Sequence, residues 1–337
     1  MKITLHVTCS SGMIKFVPRC YMLSFLCKRS CPMPIPRLTS KLFSSLSSHS
    51  VPIALLSHRE THFWYILPDE VKDQALLNQY REILSPCERE NILSMKGNDL
   101  QKGALLARAL VRTTLSRYTN SHVAPKSLMF RKNQYGKPEV EWQPDENWNP
   151  PSLHFNISHS SSLIACGVTL DVPIGIDVEE KQRTLKSNLL SFTRRYFSSD
   201  EVEYICAISD PEIQKQELNK LWTLKEAYVK ALGRGIAAAP FKGFNIKFIA
   251  TSNSKEQGSG AFVSKASHVV VEAIDASIHH TNNWRFALFE VVGSHYAAIC
   301  VKDSKMEDEA TPIKLKVWKT IPFVEDVRVS VPQFLCI

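Results

Sequence analysis

The stretch Trp222-Thr-Leu-Lys-Glu-Ala-Tyr-Val-Lys230, taken with Gly175-Ile-Asp-Val-Glu179, decides the reading of this chain. From Leu218 to Leu232 there is neither Gly nor Pro, and strong helix formers dominate. Leu218, Leu221, Trp222, Lys225, Val229 and Leu232 recur near helical spacing, and Gly233 and Gly235 supply a C-terminal stop. Glu226 and Lys230 are four apart, so they share a face with Trp222 one turn earlier. Alone, such a pair is ordinary surface charge. The second stretch changes that. Apolar and polar residues alternate from Ile174 to Glu179, so in a strand Asp177 and Glu179 project from one side. Gly175 permits close approach of another backbone. Two carboxylates on one strand face repel unless a cation or solvent intervenes. Hard cations such as Mg²⁺ take carboxylate oxygens and keep waters for a substrate phosphate. With Glu226 as a third carboxylate and Lys230 as an ammonium, the expectation is a site for a hard cation and a phosphate.

A third piece is His154-Phe-Asn-Ile-Ser-His-Ser160, ahead of the apolar run Leu163–Val168. Ser158 and His159 carry donors for phosphate oxygens. Taken one by one, these short polar residues read as a turn before a buried strand.

Phe155-Asn-Ile-Ser-His-Ser160, Gly175-Ile-Asp-Val-Glu179 and Trp222 to Gly235, with Tyr135-Gly-Lys-Pro138 upstream, resemble the signature blocks of the 4′-phosphopantetheinyl transferases. The resemblance runs from about Phe63 to Val301 and is nearest to the larger, broad-specificity subfamily, in which one chain contains two related halves. It implies an α+β fold of two similar halves in a pseudo-twofold arrangement. Each half has helices on a small, mostly antiparallel sheet, and the site lies between the halves. It implies a holo-acyl-carrier-protein synthase type of reaction. The phosphopantetheine arm of coenzyme A passes to a Ser of an apo acyl carrier protein, with Mg²⁺, and adenosine 3′,5′-bisphosphate leaves. On this resemblance Asp177, Glu179 and Glu226 hold the metal. Glu226 takes the Ser proton and Lys230 serves the departing phosphate. Lys102 or Arg108, with Arg131, Lys137, Ser158 and His159, meet coenzyme A. Lys225 points away by spacing, although it is long enough to reach a phosphate. One departure is Pro86-Cys-Glu-Arg-Glu-Asn91, where bacterial relatives carry Lys residues and this chain has only Arg89. Relatives of this kind act as monomers.

Residues 1–59 contain no Asp or Glu, and their eight Lys and Arg residues account for the whole net charge of +8. Basic, acid-free and Ser-rich from Ser40 to Ser50, the segment reads as an organelle transit peptide, mitochondrial ahead of plastid. If the extension is not a leader, the cytoplasm is expected. The remaining chain is near neutral, which argues against nucleic acid as a partner. No run is long enough to span a membrane. The nine Cys residues show no C-x-x-C and no zinc spacing.

Helices are expected over 71–83, 86–95, 100–118, 189–197 and 201–208, with Ser85 and Ser198 as caps. Strands are expected at 63–67, 163–170, 244–249, 269–274, 285–292 and 295–301. Residues 139–152 read as a polar, Pro-rich loop, and Thr251–Gly260 as a Ser/Gly-rich one. The division that follows is a leader (1–59), an N-terminal half (60–170), a C-terminal half with the metal site (171–301) and a tail without an assigned role (302–337). Arg194 and Arg195 offer charge to an acidic carrier helix. Two other readings use the same residues: a metal-dependent phosphohydrolase, and a carrier-protein-binding module without activity.

Overall fold

A computed structural model describes residue 57 and residues 60–143, 147–183, 188–235, 241–250, 266–274, 284–303, 313–330 and 333–336. The expected leader, residue 57 apart, and the Thr251–Gly260 loop lie outside the described residues.

Strand β1 (Glu60–Ile66) is followed by three helices, α1 (Gln74–Glu82), α2 (Pro86–Leu93) and α3 (Asn98–Arg117). Asp73 caps α1 by accepting the Ala75 N–H. Ser85 and Glu88 close a capping box on α2, with Pro86 in its first turn. α3 is buried from Gly103 to Leu115 without a break, so it is a core helix rather than a surface one. Arg112 on α3 donates to Glu88 at 2.7 Å and to the carbonyls of Pro125 (2.8 Å) and Leu128 (3.0 Å). Each nitrogen of the buried guanidinium thus has an acceptor.

Strands β2 (Met129–Lys132) and β3 (Pro138–Glu141) form a hairpin around Tyr135-Gly-Lys137. The start of the expected 139–152 loop is therefore strand, because Val140 is buried opposite Phe130. Strand β4 (Leu153–His159) pairs with β5 (Ile164–Leu170), which corrects the turn expected at 154–160. Phe155 and Ile157 face the core under α3, and Asn156 and Ser158 project from the other side.

Strand β6 (Ile174–Glu180) leads to α4 (Leu189–Tyr196), α5 (Ser199–Cys206) and α6 (Pro211–Leu232). α6 begins seven residues before the expected Leu218, because Asp210 caps it by accepting the N–H groups of Glu212 and Ile213. That first stretch is polar and mostly exposed, so it carried no apolar period. Gly233 closes α6 in the left-handed region at φ 68°. The remaining strands are β7 (Phe244–Ala250), β8 (Ala266–Ala273), β9 (Trp284–Val291), β10 (His295–Lys302), β11 (Lys314–Ile321), β12 (Glu325–Val329) and β13 (Gln333–Cys336).

The largest sheet runs β12-β11-β1-β5-β4 and is antiparallel except for the β1–β11 pair; a second runs β13-β9-β10-β6 and is antiparallel throughout, and β2–β3 and β7–β8 form two-stranded antiparallel sheets. The architecture is α+β. A 20-residue helix, α3, packs on the first sheet and a 22-residue helix, α6, on the second. The inner faces meet around Phe63, Tyr65, Ile176, Phe289 and Val317. This recurrence of long helix on small sheet is consistent with two related halves. The segment after 302, for which the sequence offered no role, adds strands to both larger sheets. No helix among the described residues is long and apolar enough to cross a membrane.

The seam between the sheets sets up the site. β4 and β6 are edge strands, and an edge leaves N–H groups unpaired. Asn156 Oδ1 accepts the Ile176 N–H at 2.9 Å, and Ser158 Oγ accepts the Val178 N–H at 3.2 Å. Side chains two apart on β4 thus hold N–H groups two apart on β6, with Asp177 between them.

Candidate functional site

Asp177 on β6 and Lys230 on α6 form the centre. Lys230 Nζ donates to Asp177 Oδ1 at 2.6 Å, and Ser158 Oγ donates to the same oxygen at 2.8 Å. Lys230 Nζ also lies 3.0 Å from Ser158 Oγ and 3.5 Å from Glu226 Oε2. Glu179 accepts from Trp222 Nε1 at 3.2 Å and from Arg183, whose guanidinium lies over the Trp222 ring. The residues that the sequence placed together by periodicity (Asp177, Glu179, Glu226, Lys230 and Trp222) thus converge, with Ser158 added across the seam.

The electrostatics follow from burial. Desolvation, then the charge of Asp177, pushes Glu226 up to about 8; the same two causes push Glu179 up to about 7. Lys230 and Arg183 pull the other way without offsetting this. Asp177 Oδ2 is buried and accepts no hydrogen bond among the described residues. All-oxygen donors, crowded charge and an orphaned carboxylate oxygen fit a hard divalent cation. Among the described residues no three His, Cys, Asp or Glu side chains are gathered closely enough to hold a metal as they stand. Lys230 and Arg183 supply positive charge among the carboxylates instead.

A pH dependence follows. The folded protein keeps protons on Glu226 and Glu179 that the unfolded chain releases near 4.5. Unfolding therefore releases protons, and stability falls as pH rises from about 4.5 to about 8. Thermal unfolding of EDTA-treated protein should show a midpoint that drops across this window, and Glu226→Gln should flatten the drop. A midpoint that rises from pH 5 to 8 in both proteins would contradict the crowding.

The other expected residues are placed differently. Arg108 is fully buried and donates to the Ala104 carbonyl, so it offers no surface to a ligand and is corrected to a core residue. Lys102 is half-buried near the start of α3. Arg131 is exposed and pairs with Glu139 at 3.4 Å. His159 ends β4, half-buried. Lys137 reaches inward: its Nζ donates to the carbonyls of Ile174 (2.8 Å) and Lys230 (3.0 Å), and burial lowers its pKa to about 8. Asn133, at the start of the same turn, donates to the Gly233 carbonyl at 3.1 Å. The Gly-Lys-Pro hairpin therefore clamps the end of α6 to the start of β6. Lys225 is fully buried, paired with Glu201 and bonded to the Phe244 carbonyl at 3.0 Å. It ties α6 to α5 and β7 and does not reach the carboxylate cluster, which overturns a phosphate role. Sequence reading missed Arg183 and Asn156. Arg183 lies four residues beyond Glu179, outside every predicted element, and Asn156 was hidden by the turn reading.

Comparison with known proteins agrees with this geometry. Residues 173–300 match the family model described as 4′-phosphopantetheinyl transferase superfamily. Residues 72–169 match the model of the 4′-phosphopantetheinyl transferase N-terminal region. The chain is 34% identical to the 4′-phosphopantetheinyl transferase gsp of Aneurinibacillus migulanus, over 40% of this chain and 49% of that one. It thus spans about half the length of that relative. It is 33% identical to the 4′-phosphopantetheinyl transferase HetI of Nostoc sp., over 55% of this chain and 73% of that one. To the mouse L-aminoadipate-semialdehyde dehydrogenase-phosphopantetheinyl transferase it is 23% identical, over 65% of this chain and 67% of that one. With two adjoining matches meeting at the seam that carries Ser158 and Asp177, the chain belongs to the 4′-phosphopantetheinyl transferase superfamily, in its broad-specificity subfamily.

Proposed function

We propose that the chain transfers the 4′-phosphopantetheine arm of coenzyme A to a Ser of an apo acyl carrier protein. What supports the reading most is the cluster of Asp177, Glu179, Glu226 and Lys230 at the seam, in a chain of this family. The Ser oxygen of the carrier attacks the β-phosphorus of coenzyme A. The bond from that phosphorus to the bridging oxygen breaks, and adenosine 3′,5′-bisphosphate leaves. Glu226 takes the Ser proton, as the carboxylate on α6 beside Lys230. Lys230 is placed beside Asp177 to neutralise charge on the departing phosphate. Asp177, Glu179 and Glu226 are the residues that would hold Mg²⁺, which when bound neutralises charge on the pyrophosphate. Ser158 and His159, with Lys102 and Arg131, are the proposed contacts of coenzyme A. Arg194 and Arg195, exposed at the end of α4, offer charge to an acidic carrier. We further propose a monomer, and for residues 1–59 an organelle address.

The test is chromatography of the nucleotide product. Adenosine 3′,5′-bisphosphate should appear only when coenzyme A, Mg²⁺ and an apo carrier are all present. Release without carrier would favour a phosphohydrolase; no release with any carrier would favour a binding module.

Lys137 allows a sharper prediction. As a clamp rather than a phosphate ligand, it should affect alignment and not nucleotide recognition. Lys137→Met should lower kcat by about tenfold or more, the order expected when a buried hydrogen-bonding group is lost. Its preference for coenzyme A over dephospho-coenzyme A should stay unchanged. A collapse of that preference at constant kcat would make Lys137 a phosphate ligand.

A further inference from the structure

The turn after Ser158 and His159 is held from the other half of the protein. Ser160 N–H donates to the Leu163 carbonyl at 2.8 Å. Ser160 Oγ accepts the N–H groups of Ser162 (3.3 Å) and Leu163 (3.1 Å). With both lone pairs taken, its single hydrogen is left to donate. The acceptor is Nε2 of His295, 2.9 Å away. His295 is 3% exposed and opens β10, opposite Glu180 in the β6–β10 ladder, while Tyr296 stands opposite Glu179. Nε2 therefore carries no proton. The ring proton sits on Nδ1 and donates to Ser294 Oγ at 2.9 Å. Ser162 Oγ lies 3.2 Å from the same Nε2 and 3.2 Å from Glu180, and Ser161 donates to Glu180 as well. Burial lowers the ring's pKa against the pull of Glu180, which keeps it neutral. A non-acceptor at position 295 would leave the buried Ser160 hydroxyl hydrogen without a partner, a cost an apolar contact does not repay.

We propose that His295 is a positioning residue for coenzyme A. As a neutral acceptor it fixes the Ser160–Leu163 turn, and through it the Ser158–His159 end of β4, proposed above to meet coenzyme A. This rests on the transferase reading and adds a residue that lies more than 130 positions away from the block it holds.

The experiment is calorimetric titration of the full chain with coenzyme A, paired with steady-state kinetics. His295→Ala should raise Kd and KM for coenzyme A about tenfold, the order of one lost buried hydrogen bond, and leave KM for the carrier unmoved. His295→Gln carries an amide oxygen that can take the place of Nε2, and should restore most of the affinity. Ser160→Ala removes the other partner and should reproduce the loss; it carries the test if His295→Ala does not fold. Unchanged affinity for coenzyme A in the folded variants, or a loss confined to kcat, overturns the assignment and leaves the transferase reading standing. Wild-type protein that binds no coenzyme A overturns both.

Discussion

Glu226→Gln is expected to lower kcat by about 10²- to 10⁴-fold, the range for a positioned general base, while the folded protein becomes more stable at neutral pH. The two effects have one cause. Burial and the neighbouring Asp177 make the Glu226 carboxylate unfavourable in the metal-free protein, and its pKa rises to about 8. A neutral amide of the same shape removes that unfavourable charge together with the base. Asp177→Ala should be as damaging to activity for a different reason. It removes the acceptor of Lys230 at 2.6 Å and of Ser158 at 2.8 Å, so the ammonium loses its fixed position. Circular dichroism and thermal melts separate the cases: Glu226→Gln should melt higher than wild type near pH 7.5, and Asp177→Ala should not. Full activity in both variants would mean that the seam is not the reacting centre.

Gly175→Ala is expected to be strongly destabilising, with the closest backbone clash of any described glycine. A Cβ on Gly175 would stand 2.0 Å from the Ala227 carbonyl oxygen, 2.2 Å from the Ala231 nitrogen and 2.8 Å from the Ala231 Cα. All three are backbone atoms of α6, so no side chain can rotate aside. β6, bearing Asp177 and Glu179, would have to separate from α6, bearing Glu226 and Lys230. Overpacking of this kind costs about 3 kcal/mol or more, which in a domain of this size lowers the melting midpoint by roughly 6–12 °C. Because the site is built across this contact, activity at a permissive temperature should fall as well. A variant that melts with wild type would show that helix and strand are not in direct backbone contact.

Some of this was legible in the sequence, and physical reasons divide it from the rest. Strands and helices that bury one face show their period, so β6 and the core of α6 could be read from Ile174–Glu179 and Leu218–Leu232. The 154–160 block could not. Its polar face, Asn156 and Ser158, is turned to a neighbouring strand edge rather than to water. Polar residues that satisfy a buried edge look like turn residues until the edge is known. Buried charges are hidden in the same way. Arg112 and Lys225 meet carboxylates, Glu88 and Glu201, that lie 24 positions earlier in each case, so no local pattern reveals that they are buried. Lys137 was placed at coenzyme A by resemblance and not by any local pattern; here the turn aims it at two carbonyls. The strands after 302 had no distinguishing pattern, since β12 is largely exposed and β11 only partly buried.

The measurement that bears most directly on the account is intact-mass spectrometry of an apo acyl carrier protein incubated with coenzyme A, Mg²⁺ and this chain. The account predicts that the carrier gains the mass of one phosphopantetheine arm, that EDTA abolishes the gain, and that Asp177→Ala abolishes it too. A carrier of unchanged mass, across mitochondrial, plastid and synthase-type carriers and with the chain shown to be folded, would contradict it.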